Sequence, residues 1–135
     1  EFIRSVHAPL DDIETYITHS FMNFIDRGQG HLRHVHFNSF ISGVLYIDTD
    51  CEKDKIYFYH KNPPTFPRFN KREFNLFNSD SWFFPVSPGK LILFPSEIEH
   101  SVDVSSNDHT RISLAFNTFI RGEMGNKFTY DDLKL

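Results

Sequence analysis

Along most of this chain, apolar and polar residues alternate with a period of two, the signature of strands that bury one face. The run Arg111-Ile112-Ser113-Leu114-Ala115-Phe116-Asn117 shows it most clearly. Period-two patterns and β-branched or aromatic residues predict strands over 20–25, 32–37, 41–48, 55–60, 81–86, 90–94, 101–104 and 111–120. Turn-forming residues separate them at Arg27-Gly28-Gln29-Gly30, Asn38-Ser39, Ser87-Pro88-Gly89 and Ser105-Ser106-Asn107-Asp108. Residues 9–17 read differently. Asp11 and Asp12 provide a cap and first-turn acids, and Leu10, Ile13, Tyr16 and Ile17 fall at helical spacing, which predicts a short N-terminal helix, with a loop and short strand as the alternative. About eight short strands in 135 residues imply an all-β core, a sandwich or barrel, with a jelly roll the best fit. The exception is 61–80, where three prolines interleave with Phe66, Phe69, Phe74 and Phe77. So long an irregular stretch is either a packed surface loop or a lid beside a site.

Composition narrows the functional classes. The length suits one domain, 1–135, with a single core, and 16 phenylalanines imply that ring burial dominates it. A formal charge of −4 and a pI near 6.0 give no footprint for nucleic acid. The small basic cluster Arg68, Lys71 and Arg72 reads as a solvated loop. No apolar run approaches the roughly 18 residues that span a bilayer. The lone Cys51 allows no internal disulfide, so a reducing, cytoplasmic setting is expected. The chain opens at Glu1 without a signal-peptide pattern, which leaves room for missing N-terminal sequence. Edge strands and exposed aromatics permit a homodimer without requiring one.

The candidate chemistry lies in histidines. His34-Val35-His36 places two imidazoles at i and i+2, on one face of a strand, and puts His31 on the opposite face. Two imidazoles form only a bidentate platform. His100, beyond the buried-strand pattern Leu91-Ile92-Leu93-Phe94-Pro95, is the best third ligand. His7, His19, His60 and His109 read as ordinary core or surface residues. A hairpin through Ser105–Asp108 would set Val102 opposite Arg111 and His100 opposite Ser113, bringing Arg111 and Ser113 to the His100 face. A buried arginine needs an anion, and its fork suits a bound carboxylate, with Ser113 adding a donor. The alternative is a surface pairing of Arg111 with Asp103 or Asp108. Phe37, Phe94 and Trp82 are candidates for an aromatic wall.

These stretches, with Phe37-Asn38-Ser39, Ile41-Ser42-Gly43-Val44-Leu45-Tyr46 and Pro88-Gly89-Lys90 through Ser96, resemble the iron(II)/2-oxoglutarate-dependent dioxygenases. Within that superfamily the likeness is to the prolyl-hydroxylase-like branch, and more narrowly to small phage and bacterial oxygenases with a His-x-His motif. The matching stretches cover most of 28–120, and their order and spacing are specific only together. The resemblance implies a double-stranded β-helix of cupin type, with iron held by His34 and His100. It implies 2-oxoglutarate chelating that metal, its distal carboxylate on Arg111 and Ser113, and Tyr46 adding a hydroxyl contact. Dioxygen is then the second co-substrate. The expected reaction is hydroxylation of a peptidyl residue or small metabolite, with release of succinate and carbon dioxide. The superfamily's usual triad has a carboxylate where this chain has His36. His36 is therefore a third metal ligand or a neighbour of the metal, with Asp48 or Asp103 as the substitute acid. Two other classes fit the same pattern: a cupin-type metal enzyme that does not use 2-oxoglutarate, and a non-catalytic jelly-roll binding module.

Overall fold

The computed structural model describes residues 1–10, 12–60 and 70–135. In chain order its elements are α1 (Phe2–Val6), β1 (Glu14–Ile25), β2 (His31–His34), β3 (Ile41–Asp48), β4 (Lys55–Tyr59) and β5 (Ser81–Pro85). β6 (Leu91–Pro95), β7 (His100–Val102), β8 (Arg111–Arg121), β9 (Glu123–Met124) and β10 (Leu133–Lys134) follow. Two antiparallel four-stranded sheets face each other, one ordered β1-β8-β3-β6 and the other β2-β7-β4-β5. After β1 the chain crosses between the sheets repeatedly, so strands distant in sequence become neighbours. This is the double-stranded β-helix, and its two inner faces enclose the core. β9 and β10 form a separate two-stranded ribbon. No helix among the described residues is long and apolar enough to cross a membrane.

The inner faces follow the period-two pattern. On β8, Arg111, Ser113 and Ala115 are buried while the intervening residues are half-buried. Tyr46, Ile56 and Val86 form the fully buried centre, with Val44, Phe58 and Ile92 packed around it. On the opposite face of β3, Gly43 pairs with Phe116, whose ring lies across the glycine. A Cβ there would come within 2.2 Å of the ring's Cζ. Gly43→Ala is therefore expected to destabilise the fold by about 1–3 kcal/mol, as overpacking does. Denaturant unfolding should show that loss largely relieved when Phe116→Ala is combined with it.

Three expectations are corrected. The helix over 9–17 is absent: α1 lies at Phe2–Val6, and residues 14–17 begin β1, which pairs with β8 over nearly its full length. That ladder satisfies backbone groups that an isolated helical turn leaves open, and it overrides the local capping signal. The hairpin between 101–104 and β8 is also absent. β7 pairs with β2 and β4, and Ser105 exchanges backbone hydrogen bonds with Gln29 and Gly28 instead. Residues 105–110 thus carry the chain from one sheet to the other. Finally, the strand expected over 32–37 is His31–His34, so His36 lies beyond its end. The lid reading of 61–80 falls partly outside the described residues. Within the described part, Phe74 and Phe77 are exposed and Asn75 and Asn78 build a turn.

Candidate metal centre

His34, His36 and His100 converge at one end of the space between the sheets, each offering a ring nitrogen within 4.8 Å of the other two. His34 and His100 are cross-strand partners on β2 and β7. Their Nδ1–H groups donate to carbonyls two residues back, to Leu32 O at 2.6 Å and to Ile98 O at 3.0 Å. Those bonds fix the tautomer and turn each Nε2 lone pair inward, an arrangement typical of metal-ligating histidines. His36 reaches the cluster from the turn after β2, which is held in place because His36 N–H donates to Ser96 O at 3.0 Å. Beneath that turn, Ser96 Oγ meets Ser39 Oγ at 2.6 Å and Ser42 Oγ at 2.8 Å, and Ser42 Oγ donates to Asn117 Oδ1. This buried hydroxyl network ties β3, β6 and β8 to the His36 turn.

His36 Nε2 and His100 Nε2 are 3.2 Å apart, with their rings stacked at 7°. Two nitrogens that share one ion at about 2.1 Å each stand roughly 3 Å from one another, so the spacing suits a common divalent metal. Phe94 and Phe58 wall His100 on its other side, with ring centroids at 4.7 and 6.2 Å. Phe37 is 84% exposed, and Trp82 stacks on Phe83 away from the cluster, so neither supplies the wall expected of them. Three neutral imidazoles suit iron, zinc, copper or nickel. Asp48 is held by His109 at 3.0 Å, and among the described residues neither Asp48 nor Asp103 joins the cluster.

Burial sets the protonation. It pushes His100 down to about 4, with His34 and His36 adding to the shift, and it lowers His36, with His34 next in effect. Both imidazoles are therefore neutral and ready to bind metal near pH 7. An unfolded imidazole takes its proton near 6.5, whereas folded His100 refuses it until about 4. The metal-free protein should thus be most stable above that window and lose stability as pH falls through it. Thermal unfolding across pH 4–7 checks this, and His100→Gln should flatten the slope.

A cavity of about 110 Å³ extends from the cluster between the sheets. Arg111 lies within its lining and is only 3% exposed. Its Nη1 donates to Lys55 O at 3.0 Å and its guanidinium lies 5.0 Å from the centre of the Tyr46 ring. Among the described residues no carboxylate pairs with it: Asp108 is taken by Arg27 at 2.6 Å. Arg111 Nε and the Tyr46 hydroxyl are both buried without a hydrogen-bond partner. Burial pushes the Tyr46 phenol up to about 12, and the nearby Arg111 charge opposes the shift. Ser113, directly across from Tyr46 on β8, lines the same space. A register shift in β3 between Tyr46 and Asp48 falls beside Arg111, where bulges commonly re-aim side chains. These unpartnered donors and the charge they surround fit a bound carboxylate.

The structure thus gathers all six candidates, though the hairpin and strand-parity arguments that selected some of them do not hold. Strand parity put His31 on the face opposite His34, yet His31 lines the same cavity while staying outside the three-histidine cluster. A register shift between His31 and His34 turns His31 into the same cavity, where burial lowers its pKa, followed by the influence of His34 and Arg111. Gly30, whose backbone lies close against Val102 and Asp103, is the one local mark of that bulge.

Comparison with known proteins gives a family and a fold. Residues 19–117 match the family described as "Putative 2OG-Fe(II) oxygenase". Among solved structures, an oxidoreductase of the 2OG-Fe(II) oxygenase family from Burkholderia pseudomallei aligns with a TM-score of 0.62 and 14% identity, over 79% of this chain and 46% of that one. A Pseudomonas putida prolyl-4-hydroxylase aligns with a TM-score of 0.51 and 20% identity, over 89% of this chain and 58% of that one. At such identities the likeness is one of fold, and the chain spans about half the length of these structures. No curated protein matches the sequence. The family match covers most of the chain, including His34, His36, His100, Arg111 and Asn117, and the chain therefore belongs to the 2OG-Fe(II) oxygenase family so described.

Proposed function

We propose that this chain is an iron(II)/2-oxoglutarate-dependent oxygenase that hydroxylates a peptidyl residue or a small metabolite. One observation carries the reading: a buried arginine with no ion pair among the described residues lies in the same small cavity as three converging imidazoles. His34, His36 and His100 would hold the metal. Arg111 would grip the distal carboxylate of 2-oxoglutarate, with the Tyr46 and Ser113 hydroxyls as further donors. The bound pair supplies oxidative decarboxylation of the keto acid to succinate and carbon dioxide, coupled to insertion of one atom of dioxygen into a C–H bond.

The protein's own part is positional. Leu32 O and Ile98 O hold the protons of His34 and His100 at Nδ1, so each Nε2 stays a free lone pair. Phe94, Phe58, Val44 and Ile56 keep water from the reacting end. Side chains of both sheets line the cavity, whereas His34 at its edge is exposed. The molecule to be hydroxylated would therefore approach His34 from its exposed side, past Leu32 and Phe37, which are both exposed.

A cupin-type enzyme without 2-oxoglutarate is disfavoured because it leaves Arg111 Nε and the Tyr46 hydroxyl unpaired. Anaerobic titration of the iron(II) protein with 2-oxoglutarate tests the reading. A weak visible charge-transfer band that saturates at one equivalent is expected. A metal-loaded, folded protein that gives no band would exclude this co-substrate.

A further inference from the structure

The sheet β1-β8-β3-β6 has a second apolar face. Val44, Tyr46, Ser113 and Ala115 line the cavity, so the residues that alternate with them point outward. Cross-strand pairing sets those residues in rows. Met22, Leu114, Leu45 and Leu91 form one row across all four strands, and Ser20, Phe116, Gly43 and Leu93 form the next. Phe24 and Ile112 extend the face at one end. Ser20 is the one polar side chain in these rows, and none is charged. The outer face of the other sheet is built differently. There Lys55, Tyr57 and Tyr59 alternate with core residues, Tyr59 Oη lies 2.8 Å from Ser101 Oγ, and the Arg33 guanidinium covers the Tyr59 ring. Polar groups are what an antiparallel sheet normally turns to water, so the first sheet departs from the rule.

We propose that this face is the contact between two copies of the chain, packed sheet on sheet about a two-fold axis. Phe24 is 61% exposed, Leu91 50% and Met22 43%, while Leu45, Leu114, Phe116 and Leu93 are half-buried. At about 200 Å² for a large apolar side chain, roughly 500 Å² of apolar surface lies open, a size at which patches mark protein interfaces. Two copies together would bury roughly 1,000 Å², the lower limit of a specific interface and the mark of a weak, reversible dimer. The absence of charge selects a second copy: an identical face meets this one without like-charge repulsion, and the rows offer nothing to an anionic membrane or a charged partner. Shape agrees. Gly43 has no side chain and the Phe116 ring lies across it, which leaves the middle of the face flat enough for a second sheet to stack about 10 Å away. The histidine cluster lies on the far side of this sheet, so pairing leaves both cavities open.

Sedimentation velocity of the intact chain tests this. With a Kd on the order of 10 μM, dimer should replace monomer reversibly as the concentration rises from about 1 to 200 μM. Met22→Lys sets two ammonium groups into an apolar contact and is expected to weaken the dimer roughly 100-fold. Leu91→Lys, at the other end of the same row, should do likewise, which keeps the test open if the β1 variant fails to fold. Phe128→Ser removes a more exposed aromatic ring, from the segment joining β9 to β10, and should leave association unchanged. A parent chain that stays monomeric throughout, whether or not it floats with phosphatidylcholine vesicles, would overturn the proposal. So would a dimer that both lysine variants leave intact.

Discussion

Arg111→Met is expected to leave the metal-free protein at least as stable as the parent while removing its affinity for 2-oxoglutarate. Arg111 is buried, has no ion pair among the described residues and leaves Nε without a partner. Replacing a whole buried ion pair by apolar side chains is often neutral or stabilising, by about 1–4 kcal/mol, and a buried charge without an ion-pair partner has no such attraction to lose. The bound complex changes in the opposite direction. Truncating one member of a buried, hydrogen-bonded charge pair costs about 2–5 kcal/mol, roughly 30- to several-thousand-fold in affinity. Thermal unfolding with and without 2-oxoglutarate reads both effects in one experiment. A purely structural arginine would give the reverse, a less stable protein whose ligand response is unchanged.

His100→Ala is expected to cause the largest loss of metal affinity. Its Nε2 faces His36 Nε2 at 3.2 Å, its Nδ1 is anchored on Ile98 O, and its ring is walled by Phe94. Even residues that only support metal ligands change affinity about 10- to 100-fold, so removal of this ligand should exceed that. Cobalt(II) spectra would show the change directly, because the ligand-field bands report the number of imidazoles. His31→Ala is the informative control. His31 lines the same cavity but lies outside the three-histidine cluster, so its loss should leave the cobalt spectrum essentially unaltered.

The β architecture was legible because all eight strands predicted from the sequence overlap strands of the two four-stranded sheets. Residues 14–17 were not, because Asp11 and Asp12 mimic a helix start and only the distant strand β8 decides otherwise. The site was legible in its residues more than in its geometry. His34, His36, His100 and Arg111 do meet, but His36 arrives from a turn and Arg111 from the opposite sheet. A reading based on neighbouring strands has no access to a chain that alternates between sheets. Gly30, just before the bulge that brings in His31, packs on the backbone of Val102 and is the one local mark of it, whereas the serine network beneath His36 joins residues far apart in the chain.

The central claim is that this cavity couples metal to keto-acid chemistry. Incubating the chain with iron(II), dioxygen and carbon-labelled 2-oxoglutarate, without any added substrate, measures the slow uncoupled reaction directly. Labelled succinate is expected to form in the parent protein and to fall to background on chelation of the metal, in Arg111→Met and in His100→Ala. Metal-loaded, folded protein that binds 2-oxoglutarate yet forms no succinate, or equal formation in all three proteins, would contradict the claim.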